Sequence, residues 1–213
     1  MTPGVSHKLP HEVAHKRISK KSQAARQKLL SAALQVIGSK GYHDATMEEI
    51  ARTAGVSKGL AYYHFTSKAK LASAVLDSGL QGLLEKLTQA KADAANALDA
   101  FDAMADQLAD SLYANEMVTR FVFAEMLQED RDCSELMMGY VDKFISLISE
   151  LIAQGQSEGS FRTEINVEFT SVSLFGAVMT SAMYFIGEAG GVSLPREKFM
   201  TEFKTIGSHI CLA

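Results

Sequence analysis

The chain has 213 residues, 47% of them hydrophobic and 22% charged, with 15 Gly, 3 Pro and no Trp. That is enough for one large or two small domains, and the scarcity of breakers beside abundant Ala, Leu, Met, Glu and Lys argues against a sheet-rich fold and for helix. The net charge of −4 conceals a division: residues 1–70 hold twelve Lys/Arg against four Asp/Glu, a balance of +8, and residues 71–213 a balance of −12. A basic N-terminal third on an acidic body is the charge distribution of a module that meets a polyanion.

Residues 1–21 contain Pro3, Gly4, Pro10, three His and five Lys/Arg without apolar periodicity, and they read as a disordered basic arm. They hold no apolar h-region, so no signal peptide is expected. Cys133 and Cys211 have no metal or redox spacing and make no disulfide framework, which fits a reducing cytoplasm. A helix is expected from Ser22, with Leu29, Ala33, Val36 and Ile37 at helical spacing and "GSKG" (38–41) closing it.

"ATMEEIARTA" announces the next helix. Thr46 stands three residues before Glu49, the pattern of a capping box, and Ile50, Ala51 and Ala54 form the apolar stripe. Gly55 supplies a left-handed turn without steric cost, and Val56 plugs the space between two short helices. Ser57 caps a helix to Phe65. Together these make a helix-turn-helix. Lys58, Leu60, Tyr62, Tyr63 and His64 remain outward on its second helix, and Gly59 removes bulk where a surface would approach. Polar aromatic edges and a cation suit a helix lying in the major groove between two sugar-phosphate walls.

From Ser67 onward the chain reads as long helices over about 67–89, 93–113, 115–128, 133–156, 166–188 and 195–210. Pro195 suits a first helical position. Phe169–Gly187 lacks charge over nearly a membrane-spanning length. Its five Ser and Thr hydroxyls and the lack of a basic anchor favour a helix buried by protein, with no membrane contact. No acid/base pair, nucleophile triad or metal cluster stands out, so neither an enzyme nor a cofactor is expected. Met104, Met117, Phe121, Met126, Met137, Tyr140 and Phe144, with Phe175 and Met179, supply adaptable apolar surface for a ligand pocket, or for plain core. Arg120 and Glu125 either orient a polar ligand atom or face water.

The stretch "ATMEEIARTAGVSKGLAYYHFTSKAKL" (45–71) resembles the signature of the TetR family of bacterial transcriptional regulators. Gly55, Val56, Ser57, Gly59, Tyr62, His64, Phe65, Lys68 and Leu71 match its pattern, and the likeness covers about 50 residues. The resemblance implies an all-α homodimer: an arm over 1–21, a three-helix DNA-binding domain over 22–70, and a larger helical ligand-binding and dimerisation domain over 71–213. It implies DNA contacts from Thr46, Lys58, Tyr62, Tyr63, His64 and Lys68, with Lys68 on a phosphate. It places the dimer interface on the last two helices, with Phe169, Met183, Phe199 and Ile206 as candidates. Leu60 departs from the usual Thr or Ser and is left to touch a thymine methyl. Glu48 stands where some members carry Arg; it either accepts from cytosine or faces solvent. The function so implied is a cytoplasmic, one-component repressor, released from a palindromic operator by a small, largely apolar effector. The alternative is an activating or partner-controlled DNA-binding regulator without such an inducer.

Overall fold

The computed structural model describes residues 10–114, 116, 119, 121–122, 131–186 and 193–211, with side chains from residue 20 onward, those of 131–134 excepted. Helix α1 (Pro10–Lys40) is longer than the sequence reading expects. Residues 10–21, expected as part of a disordered arm, continue it toward the N-terminus, which costs little once a helix is nucleated. Pro10 at its start loses no intrahelical bond. Leu29, Leu30, Ala32, Ala33, Val36 and Ile37 bury one face. Gly41, at φ 86°, ends the helix by donating its N–H to the Ile37 carbonyl at 2.8 Å.

Helix α2 (Met47–Thr53) begins at Thr46, whose Oγ1 accepts from the Glu49 N–H at 3.2 Å. The reciprocal half of the expected capping box does not form: the Glu49 carboxylate pairs instead with Lys40 and, at 3.9 Å, with Arg52. Gly55, at φ 65°, makes the turn, and Val56 donates to the Ala51 carbonyl at 3.0 Å. Helix α3 (Lys58–His64) is capped by Ser57, which accepts from the Leu60 N–H at 3.2 Å. Ala61 is fully buried on its inner side, and Phe65 ends the helix in the core. Helix α4 (Lys68–Asp93) is capped by Ser67 and buries Leu71, Ala72 and Val75 along its first turns.

The chain forms two compact units, and the second begins at Leu76, inside α4, where the sequence reading places the change at 70/71. In the second unit, α5 (Ala97–Ala114) packs on α6 (Arg131–Glu158) and on α8 (Arg196–Cys211), and α6 packs on α7 (Val167–Phe185). Asp93, expected to start α5, ends α4 instead. Asn96 accepts from the Asp99 N–H at 2.9 Å, and the Glu158 carboxylate accepts from the Ala97 N–H at 2.8 Å. The bond from Ala97, and after it one from the Gln154 side-chain amide at 2.7 Å, hold the Glu158 carboxyl below its ordinary pKa. Asn166 caps α7, and Pro195 stands just ahead of α8 rather than as its first residue. The expected helix over 115–128 lies largely outside the described residues, of which 116, 119, 121 and 122 are helical. No helix among the described residues is long and apolar enough to cross a membrane.

After α6 the chain folds back so that Ser160 and Phe161 both donate to the Gly155 carbonyl at 3.0 Å, and the Phe161 ring lies directly over the Gly155 Cα. A Cβ at residue 155 would overlap that ring, which is itself buried. Gly155→Ala should therefore destabilise the second unit by about 1–3 kcal/mol, read as a fall in the denaturant midpoint. Gly155→Ala with Phe161→Leu should recover part of the loss. Equal loss in the single and the double variant would show that the overlap is not the cause.

Candidate nucleic-acid interface and body cavity

The α2–turn–α3 segment presents a polar, aromatic face. Tyr63 is 77% exposed, and Tyr62, Leu60 and Lys58 are exposed beside it. At Gly59 a Cβ would meet nothing within 4 Å, so the surface there is open to a large partner. Thr46 is exposed at the start of α2, with its oxygen occupied by the cap. His64 is half-buried. Its Nε2 is enclosed without a hydrogen-bond partner, and its ring meets Tyr63 edge-on at 5.4 Å. A phosphate contact from this ring would use Nδ1.

Two charged residues behave differently from the sequence expectation. Lys58 is held by Glu48, with Nζ donating to Oε2 at 3.1 Å, both side chains well exposed. The hydrogen bond to Glu48, reinforced by its charge, raises the Lys58 pKa. Glu48 thus has a partner that sequence spacing does not reveal, since the two are ten residues apart on different helices. Lys68, expected on a phosphate, turns inward. Its ammonium donates to the carbonyls of Tyr42 (2.7 Å), His43 (3.1 Å) and Ala45 (3.0 Å) and lies 4.4 Å from the centre of the Tyr42 ring. An ammonium has three hydrogens, and all three are used. Lys68 fastens the α1–α2 turn to the start of α4, so a phosphate would have to displace one of these bonds.

In the second unit a cavity of about 420 Å³ is lined by α4 (Leu80, Leu83, Leu87), α5 (Phe101, Met104, Leu108), α6 (Met137, Tyr140, Phe144), α7 (Phe175, Val178, Met179) and α8 (Phe203, Cys211). Six of the nine expected pocket residues therefore line it: Met104, Met137, Tyr140, Phe144, Phe175 and Met179. Phe121 is buried but does not form part of the wall. Met117, Met126, Arg120 and Glu125 lie outside the described residues. The wall also uses aliphatic residues of α4 and Phe161, which carry no signal that separates lining from core. Phe144 and Phe175 stack at 6.3 Å. The Tyr140 hydroxyl donates to Asp77 Oδ1 at 2.7 Å; burial, then that bond, push its pKa up to about 12, so it stays neutral at any ordinary pH. Lys86 is the only charged side chain among the described lining residues.

The four residues expected at a dimer interface do not share one environment. Phe169 is 74% exposed and Ile206 is exposed, as are Val172 and Tyr184, which the sequence reading missed. Met183 packs on a core cluster, and Phe199 is 4% exposed inside that cluster, beside Leu112, Val178 and Ala182 and edge-on to Tyr113 at 5.8 Å. Phe199 is a core residue of its own subunit, because α8 carries apolar residues on more than one face and packing on α5 selects this one. No group of three or more His, Cys, Asp or Glu among the described residues is placed to hold a metal ion.

The sequence model for "Bacterial regulatory proteins, tetR family" matches residues 29–75, and that for "YsiA-like protein, C-terminal region" matches residues 76–186. The HTH-type transcriptional regulator SrpR of Pseudomonas putida is 24% identical over 171 residues, 79% of this chain and 78% of that protein. The fatty acid degradation regulator FadR of Bacillus halodurans superposes with a TM-score of 0.74 at 18% identity, over 84% of this chain and 96% of its own. FadR of Bacillus subtilis, in complex with stearoyl-CoA, superposes at 0.73 with 15% identity, over 84% and 94%. Both superpositions are likenesses of fold.

Lys68→Met should lower the stability of the first unit by about 1–3 kcal/mol, the cost of losing charge-assisted bonds to three carbonyls, two of them, those of Tyr42 and Ala45, in part-buried bonds. The salt dependence of DNA binding, measured where the variant is folded, should keep its slope. A slope shallower by about one unit would instead place Lys68 on a phosphate.

Proposed function

The chain belongs to the tetR family of bacterial regulatory proteins, as a transcriptional regulator with a DNA-binding helix-turn-helix, and on that premise we propose that it is a one-component repressor, released from a two-fold operator by a small, largely apolar ligand. The observation that carries the ligand half of this reading is the cavity of the second unit, lined almost wholly by aliphatic, aromatic and methionine side chains. Such a space exposes its walls to loss of dispersion contacts unless something fills it. The structural neighbour FadR of Bacillus subtilis holds stearoyl-CoA, which makes long-chain acyl thioesters the first ligands to try. Lys86 would meet the polar end of such a molecule.

In the DNA-bound state α3 would lie in the major groove, with Tyr62 and Tyr63 donating to phosphate oxygens and Leu60 against a thymine methyl. One short helix reads few bases, so a homodimer on a palindrome supplies the rest. The exposed apolar strip of Phe169, Val172 and Tyr184, with Ile206, is the surface proposed for that pairing. Release would be a population shift. DNA selects a state in which the two reading heads match the spacing of the half-sites, and a ligand that prefers another state lowers operator affinity by its differential affinity for the two. Helix α4 contributes to both units and would carry the coupling.

The purified protein should bind DNA upstream of its own gene selectively over shuffled DNA, and stearoyl-CoA or a similar apolar compound should release it. Tyr63→Phe should weaken binding to every sequence by about tenfold or less while leaving the melting temperature unchanged, since it removes one phosphate donor. Met179→Phe, which narrows the cavity, should weaken ligand-driven release and spare DNA affinity. Selective DNA binding with no apolar compound shifting either release or melting temperature would favour control by a partner protein.

A further inference from the structure

Glu48 is a carboxylate on the face that is to meet a polyanion. It lies near the end of α3 that carries Lys58, the first residue of that helix, and accepts a hydrogen bond from the Lys58 ammonium at 3.1 Å. Its neighbour Glu49 has a separate structural task, paired with Lys40 and Arg52. No such fold-level task falls to Glu48, whose side chain is 74% exposed. The first residues of a recognition helix are the ones that reach base edges. A carboxylate bonded to the ammonium at that position enters the groove with it.

The charge arithmetic then matters. A free ammonium beside DNA strengthens binding to every sequence, through one more phosphate neutralised. An ammonium paired with a carboxylate brings no net charge and adds little to that general attraction. What the pair retains is a donor and an acceptor side by side. In the major groove a G·C pair presents two acceptors on guanine, O6 and N7, and a donor on cytosine, the N4 amine. An A·T pair carries its donor on the purine, at adenine N6, and sets a carbonyl and a methyl on thymine where cytosine presents its amine.

We propose that Glu48 and Lys58 act together as a specificity-determining unit that reads one G·C base pair in each half-site. The Lys58 ammonium donates to guanine O6 or N7, and the Glu48 oxygen not engaged by Lys58 accepts from cytosine N4. Glu48 thereby suppresses binding to random DNA as well as favouring the operator. This rests on the reading of the chain as an operator-binding regulator.

The test is selection from a random-sequence DNA library by the full-length protein, followed by binding titrations at several salt concentrations. Wild type is expected to fix a G·C pair at one symmetric position of each half-site. Glu48→Ala should lose about tenfold of preference at that position alone, and should bind random DNA more tightly with a salt slope steeper by about one unit as Lys58 turns to a phosphate. Lys58→Met should lose the same position, and the double variant should lose no more than either single one. Unchanged melting curves are expected for all three, since both side chains are exposed. If wild type selects no sequence, the regulator reading itself fails. If wild type selects a motif and Glu48→Ala selects the same motif with the same strength, Glu48 reads nothing and the proposal is overturned. Loss of the position in Lys58→Met but not in Glu48→Ala overturns it equally.

Discussion

A single ammonium ties together the segments that the first unit needs in register. Lys68 donates to the carbonyls of Tyr42, His43 and Ala45, in the turn that runs from the end of α1 to the cap of α2. Those carbonyls follow a helix that ends at Gly41 and precede one that begins at Thr46, so neither helix satisfies them. Without the ammonium they would have to find water, and the turn would lose its fixed path. The placement of Thr46, and through α2 and Gly55 the placement of α3, follows from that path. The residue sits at the start of α4, so the reading helices are anchored to the helix that continues into the second unit.

The second unit shows a different balance. Among the described residues, polar groups of the interior pair with one another or with the backbone: Tyr140 with Asp77, Ser149 with Ser171 at 2.9 Å, Thr119 with the Leu112 carbonyl at 3.0 Å. The rest of the inner surface is apolar, and part of it surrounds open space. Native interiors are ordinarily packed to crystal-like density. A helical body that leaves about 420 Å³ unfilled gives up stability that a larger side chain at Gly79 or Gly82 on α4 could have supplied. Under the function proposed above, a ligand rather than the chain itself would supply that complement.

What could be read in the sequence was local. The glycine of the turn and the Ser and Thr caps act over three or four residues, so the helix-turn-helix was legible, with Lys58, Tyr62 and Tyr63 on its outer face. What could not be read was long-range. Lys68 finds its acceptors some 25 positions away, Glu49 pairs with Lys40 across a turn, and the Ala97 N–H is capped by Glu158. Asp93 and Asn96 are both competent caps, and only packing decides between them. On α8 the sequence could not separate Phe199 from Ile206, since both are apolar, but contact with α5 and α7 buries one and exposes the other. The Met and Phe residues of the cavity wall stood out as a group, open to either pocket or core, while its aliphatic lining looked like any core. The continuation of α1 back to Pro10 was missed because it shows no amphipathic pattern.

The turn after α6 has a consequence for the order in which the protein comes into being. The Arg162 N–H donates to the Cys211 carbonyl at 2.8 Å, so the middle of the second unit is bonded to the last turn of α8, and Phe203 and Cys211 close one side of the cavity. The first unit has its own core and is complete once Val75 has left the ribosome. At roughly 5–20 residues per second, synthesis needs about 7–27 s more before α8 can pack on the rest. During that interval a nascent chain carries a finished helix-turn-helix on a body whose cavity wall still lacks one side.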